Sequence, residues 1–244
     1  MNTKIILLTL VLVFLLSAMI GTSSAQTRVV GVSEGDWFKY GDVSSSWTSS
    51  DPNATIPDVY LNETEWGMIS IVDVSGTNVT GQMTTHFKNG TEETVGGYVD
   101  IETGEGENMT IFVISANLDE NDAVFTSGEL SFARINETIV RTYPDGVRET
   151  NHLNLTVEFS YMGFYQYMST NYYWDKATGI LVEMSQDERH QTGEYITNSS
   201  LVFRITESNV WVIPEFASFL VLPLFMIATL LAVIVYRRNH KGRS

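Results

Sequence analysis

The chain is apolar at both ends and acidic in between, and the fold has to be built inside that middle stretch. Ile5–Ile20 is hydrophobic apart from Thr9 and Ser17, follows Lys4, and leads to the small residues Ser23-Ser24-Ala25. That order of charge, apolar run and small-residue site is a secretory signal, with cleavage expected after Ala25; an uncleaved anchor is the alternative. Phe216–Tyr236 is a 21-residue uncharged run followed by Arg237, Arg238, Lys241 and Arg243. About 20 apolar residues span a bilayer core as a helix, and basic residues stay on the cytoplasmic side. The expected order is a signal peptide at 1–25, an extracellular β domain at 26–211, a membrane segment at 212–236 and a cytoplasmic tail at 237–244. A buried core helix is the competing reading of the second run, disfavoured by its length and basic flank.

The middle must hold itself together without cross-links, because the chain has no cysteine. This removes disulfides, thiolate metal sites and a cysteine nucleophile. Some 190 residues are enough for one domain with a sizeable core. All 29 acidic residues fall between the two apolar runs, against nine Lys or Arg, a difference of −20. Nucleic acid and anionic headgroups both call for a basic footprint, so neither is an expected partner. Asn-x-Ser/Thr triplets begin at Asn53, Asn62, Asn78, Asn89, Asn108, Asn136, Asn154 and Asn198. On an exported chain these are N-glycosylation acceptors; the abundance of Asn and Thr in turns and strands is the competing explanation.

No helical periodicity runs through residues 28–211, whereas short alternating runs recur between turn dipeptides. Leu153, Leu155, Val157, Phe159 and Tyr161 share one strand face, and Leu201, Phe203 and Ile205 another. Asn89-Gly90 and Asp145-Gly146 suit tight type I′ hairpins. The pattern predicts all-β structure: ten to twelve antiparallel strands in a single meander, half-barrel or sandwich, plus one C-terminal transmembrane helix. Residues 44–58 read as a long surface loop, and Ile111–Ile114, apolar on both faces, as a strand covered on both sides.

Candidate chemistry is sparse. Asp119-Glu120-Asn121-Asp122 lacks EF-hand spacing and reads as a solvated acidic turn rather than a calcium loop. His86, His152 and His190 have no metal-pair or triad spacing. No cofactor and no catalytic residue are expected. Running one phase through the aromatic stretch places Phe159, Tyr161, Tyr165 and Tyr167 on one face and Phe164 on the other. Tyr161, Tyr165 and Tyr167 are thereby candidates to stack on sugar rings or line a lipid trough, with cross-strand packing as the competing role.

Two resemblances add to this. Pro214-Glu215-Phe216, an uncharged span and Arg237-Arg238 resemble the PEF-CTERM sorting tail of archaeal surface proteins over residues 213–243. That likeness implies recognition of Pro214, Glu215 and Phe216 by an archaeosortase-like membrane transpeptidase; processing there removes the helix. Gly35–Tyr40 and Tyr172–Glu183 are similar to archaeal exported proteins, and the strand–turn–strand of the second resembles the half-barrels of LolA-like lipoprotein carriers. It implies an open curved sheet around an apolar concavity. Three functional readings follow: a non-enzymatic membrane-anchored surface protein with an envelope or interaction role, a lipid- or glycan-binding surface module, and a carboxylate-dependent surface hydrolase.

Overall fold

A computed structural model of the chain describes residues 27–55, 63–128, 130–144 and 146–211. The signal segment, Asn62, Pro214-Glu215-Phe216, the 216–236 span and the basic tail lie outside these residues. The described residues are all-β, with no helix. In chain order the strands are β1 (Trp37–Ser49), β2 (Thr64–Ser75), β3 (Asn78–Phe87), β4 (Glu92–Asp100), β5 (Gly106–Glu107), β6 (Glu137–Tyr143), β7 (Gly146–Tyr161), β8 (Phe164–Asp175), β9 (Leu181–Thr192) and β10 (Tyr195–Ser208).

All ten pair antiparallel in one sheet, ordered β5-β4-β3-β2-β1-β10-β9-β8-β7-β6. Two five-strand meanders are therefore joined by the first and last strands, paired from Phe38↔Ser208 to Ser49↔Thr197. This seam corrects the loop expected at 44–58. Ser44–Ser49 are strand residues paired along one edge with β10, and hydroxyls pair across the seam at Ser46–Ser200 and Ser49–Thr197. Polar composition looked like a loop because one face of this half-strand is exposed and the other only half-buried.

The alternation of each strand makes one apolar face, carrying Phe38, Tyr40, Ile69, Val79, Val99, Leu153, Trp174 and Ile205, all buried. No second sheet covers it among the described residues. Residues 108–136, together with the segment leading to β1, lie there instead and bring Val113, Ile114, Leu118, Val124 and Phe125 into the core. Ile111–Ile114 is thus irregular chain rather than the expected strand, apart from one bridge between Val113 and Ile180. Buried irregular backbone must find partners. The Ile114 amide donates to the Gly179 carbonyl, the Asn117 amide to Lys176 and the Thr126 amide to Glu102. Two core side chains complete the tie, the Trp174 indole donating to the Ile111 carbonyl and the Asn151 amide to the Leu118 carbonyl. Gly81 and Gly97, facing each other across β3 and β4, leave room for Met109: a Cβ at either would sit within 2.9 Å of its side chain.

The turns sort to two ends. The β2–β3, β6–β7 and β8–β9 connections share the proximal end with the entry to β1 and the exit from β10; the β1–β2, β3–β4, β7–β8 and β9–β10 connections form the distal end. β10, 14 residues long, separates them by about 45 Å at ~3.3 Å per residue. At Asn89-Gly90 only Gly90 has positive φ, so this hairpin is not the expected type I′ turn, which needs both central residues there. Met162 and Gly163 do both have positive φ, 44° and 82°, and form the two-residue β7–β8 turn.

Gly179 and Gly67 should behave oppositely. Gly179 has φ +73°, and a Cβ there would overlap the Ile114 carbonyl oxygen, whereas at Gly67 the nearest atom is 3.9 Å away. Gly179→Ala is expected to cost about 3 kcal/mol, and Gly67→Ala to add about 0.5–1 kcal/mol by stiffening a strand interior. Urea midpoints of the two variants check this.

Candidate functional site at the distal end

The covering segment packs over the proximal part of the apolar face, and the same face becomes exposed along β7. Leu153 is buried, Leu155 half-buried, and Phe159 and Tyr161 are 51% and 59% exposed. The two-residue turn pairs Tyr161 with Phe164, so these share a face, and Phe159 lies 6.4 Å from Tyr161 and 6.2 Å from Phe164, ring centre to ring centre. Tyr165 and Tyr167 consequently fall on the opposite, polar face beside Asp187, Arg189 and Asn198. The single aromatic platform expected of Tyr161, Tyr165 and Tyr167 is therefore split. Met162-Gly163 carries no usual turn residue at its first position, so the sequence pattern does not mark the reversal.

An apolar pocket of about 310 Å³ opens on the apolar face between β10 and β4. Its inner end is a cluster of three rings, Tyr40–Phe203 at 5.7 Å, Tyr40–Phe112 at 6.0 Å and Phe112–Phe203 at 6.3 Å. The Tyr40 hydroxyl donates to the Leu181 carbonyl at 2.8 Å, which turns its polar atom away from the pocket. Gly67 leaves the floor open, and Thr64, Thr85 and Glu93 are the polar members of the lining.

The polar face is held by charge. Glu183, 3% exposed, accepts from Arg141 Nη2 at 2.7 Å and lies 3.1 Å from Arg204 Nε, which in turn reaches Asp42. Arg141 crosses the Tyr173 ring at 4.1 Å on the way. β6 and β9 are three strand spacings apart, about 14 Å, so this contact ties the outermost strand to β9 across the polar face. Burial works against both guanidinium charges, and the Glu183 carboxylate, joined at Arg204 by Asp42, more than offsets it, holding Arg141 and Arg204 above the usual arginine value. Burial, reinforced by Glu183, pushes the Tyr143 hydroxyl up; burial alone does so for Tyr40.

The other candidate residues take local partners. Asp119 accepts from Lys176 Nζ at 2.7 Å, and Asp122 accepts the Asp119 amide. Among the described residues no group of three or more His, Asp or Glu could hold a metal ion. His86 stacks on Trp66 and contacts Glu92, His152 stacks on Tyr173 and contacts Glu137, and His190 contacts Glu188. Asn53, Asn89, Asn108, Asn136 and Asn198 are exposed, while Asn78 and Asn154 are half-buried. The Asn154 side-chain amide donates to both Ser169 Oγ and Asn171 Oδ1. Comparison with protein-family models and with curated proteins finds no match to this chain.

Glu183→Ala leaves two guanidiniums facing each other without their shared carboxylate. Both arginines keep contact with water, which places the expected loss near the low end for a broken buried pair, about 3 kcal/mol, measured by chemical denaturation. The buried phenols set an alkaline limit. Their folded-state pKa values are raised, so their contribution to stability is complete below about pH 10, the unfolded tyrosine value, and falls as pH rises above it. Tyr40→Phe is expected to flatten the loss of stability between pH 10 and 12 in a pH-resolved melting series.

Proposed function

We propose that this chain is a non-enzymatic, N-glycosylated cell-surface protein, exported by residues 1–25 and anchored by the 216–236 helix, with an interaction role at its distal end. In this reading residues 26–211 face the outside and 237–244 the cytoplasm. Membrane lipid surrounds the helix of the unprocessed chain, and Pro214-Glu215-Phe216 is the contact at which an archaeosortase-like transpeptidase would remove that helix. The observation that carries it is the placement of the chain ends. β10 leaves the sheet at the proximal end, where Trp211 packs edge-on to Phe38 at 5.6 Å and under the Arg148 guanidinium at 3.7 Å. An anchor starting a few residues later holds the proximal end toward the bilayer and presents the exposed rings of Phe159 and Tyr161 outward. The tie from β6 to β9 through Glu183 supports the half-barrel form of the sheet. Among the described residues the two buried carboxylates are both engaged, Glu183 by two arginines and Asp175 by Thr178 and Arg148. This supports binding over hydrolysis, since glycoside hydrolysis needs a cooperating carboxylate pair.

A second reading, a lipid-binding module, draws on the apolar pocket. Its three-ring end and polar mouth suit an amphiphile with one hydrocarbon chain and a hydroxyl or ammonium head beside Glu93.

The absence of cysteine makes topology directly testable. Ser46→Cys is expected to react with a membrane-impermeant maleimide on intact cells and Ser244→Cys only after lysis; the reverse pattern defeats the anchored reading. Mass spectrometry of the full chain from native membranes should show sugar at the exposed asparagines and least at Asn154, because a glycosylated amide keeps one N–H and cannot hold both present bonds. A co-purifying lipid that disappears in Gly67→Leu supports the second reading.

A further inference from the structure

Beyond the apolar pocket, the distal end of the same face changes character over β1, β10 and β9. The register sets side chains of three adjacent strands in rows: Ser45, Leu201 and Gln186; Trp47, Ser199 and Glu188; Ser49, Thr197 and His190. A cavity of about 330 Å³ lies over them, with the half-buried Trp47 ring at one side and the amide, carboxylate and imidazole of β9 at the other. Glu188 is held in place from both oxygens, Oε1 2.6 Å from His190 Nε2 and Oε2 accepting from Ser199 Oγ at 3.3 Å. The rows continue through β8 into β7, where Met168 and Gln166 lead to Val157 and to the Phe159, Phe164 and Tyr161 cluster. A polar floor thus has aromatic groups on two sides, Trp47 on β1 and Phe159 on β7 standing four strand spacings, about 19 Å, apart.

We propose that this strip binds a neutral oligosaccharide laid across the strands, with one ring on Trp47, its hydroxyls on Glu188, His190 and Gln186, and its far end against Phe159. The inference rests on the distal end being an outward-facing binding surface. Sugar rings have C–H faces that stack on aromatic groups and hydroxyl edges that need donors and acceptors, and both are present here in alternation. A hydrocarbon chain would strip water from the Gln186 amide and from the Glu188–His190 pair while offering them no hydrogen bonds in return. A peptide cannot add as a strand at β10 or β9, which are paired on both sides within the sheet. One added at the outer edge of β1, which pairs β2 only from Trp37 to Tyr40, would extend the sheet rather than lie across this strip. Anionic sugars, phosphates and nucleic acid meet Glu188 and the −20 charge of the stretch between the apolar ends. Glu188 is the single carboxylate in the cavity lining, so the arrangement holds a saccharide without the second acid that cleavage requires. Asn154 and Asn198 alternate onto the opposite face, leaving this one free of the chain's own glycans along β7 and β10.

The test is titration calorimetry on the full chain in nanodiscs, with mannohexaose and chitohexaose as neutral probes, a heparin hexasaccharide as the anionic control and myristate as the apolar one. At least one neutral hexasaccharide is expected to bind. Trp47→Ala and Glu188→Gln should each weaken binding by about tenfold or more, as loss of a central anchor does. Phe159→Ala, at an exposed ring that the fold does not need, should weaken it severalfold. Two results overturn the proposal: neither neutral probe binds, or binding is unchanged in all three variants. Tighter binding of heparin or myristate, lost in Trp47→Ala, also overturns it, by making the site one for anions or lipids. Surface labelling of Ser46→Cys separates the two levels. Labelled cells without sugar binding defeat this inference alone, and unlabelled cells defeat the outward orientation beneath it.

Discussion

The pairing of β1 with β10 is the constraint on which the rest depends. Each meander of five strands is local in sequence, and each alone presents an apolar face with an open edge at either side. Joining the first strand to the last merges them into one sheet with a continuous apolar face. It also brings entry and exit to one end, where Phe38 and Trp211 meet. Such a pairing, separated by more than 140 residues at its closest registered partners, is costly in chain entropy. The core that it creates has to return that cost, and it does so through residues 108–136.

That segment shows why a face this wide needs no second sheet. It has no regular structure, yet its amides are answered by the β8–β9 connection and two of its carbonyls by the core side chains Trp174 and Asn151. Small residues in β3 and β4 let it approach closely, with Met109 seated over Gly81 and Gly97. The covering is partial because the segment is tied to the proximal turns. The distal half of β7 and β8 runs past it, which leaves Phe159 and Tyr161 in solvent as part of a longer trough.

Alternation and turn dipeptides were enough to read the strand class, the approximate strand number and the faces of β7 and β10, because the period of two is visible wherever one face is buried. The outer half of β1 was not legible. Its Ser-rich composition suits a loop, and only the distant partner β10 makes it a strand. Ile111–Ile114 misled in the opposite sense, since burial on all sides looks the same for a covered strand and for irregular chain. The split of Tyr161 from Tyr165 and Tyr167 turned on Met162, an 87% exposed residue in a left-handed conformation that methionine seldom adopts. The row of Trp47, Ser199 and Glu188 was beyond reach because it is assembled by register between strands far apart in the chain.

The sheet is open, and its two outer strands pose the question of what keeps neighbouring copies from zipping together. An unpaired strand edge templates further strands, and crowded envelopes favour that outcome. Asn108 follows the short β5 directly, and Asn136 directly precedes β6, both in solvent. Bulky sugar trees at these two positions would stand beside both rims and work as bumpers, keeping a dense lawn of such molecules from polymerising into filaments while the flat of the sheet stays accessible.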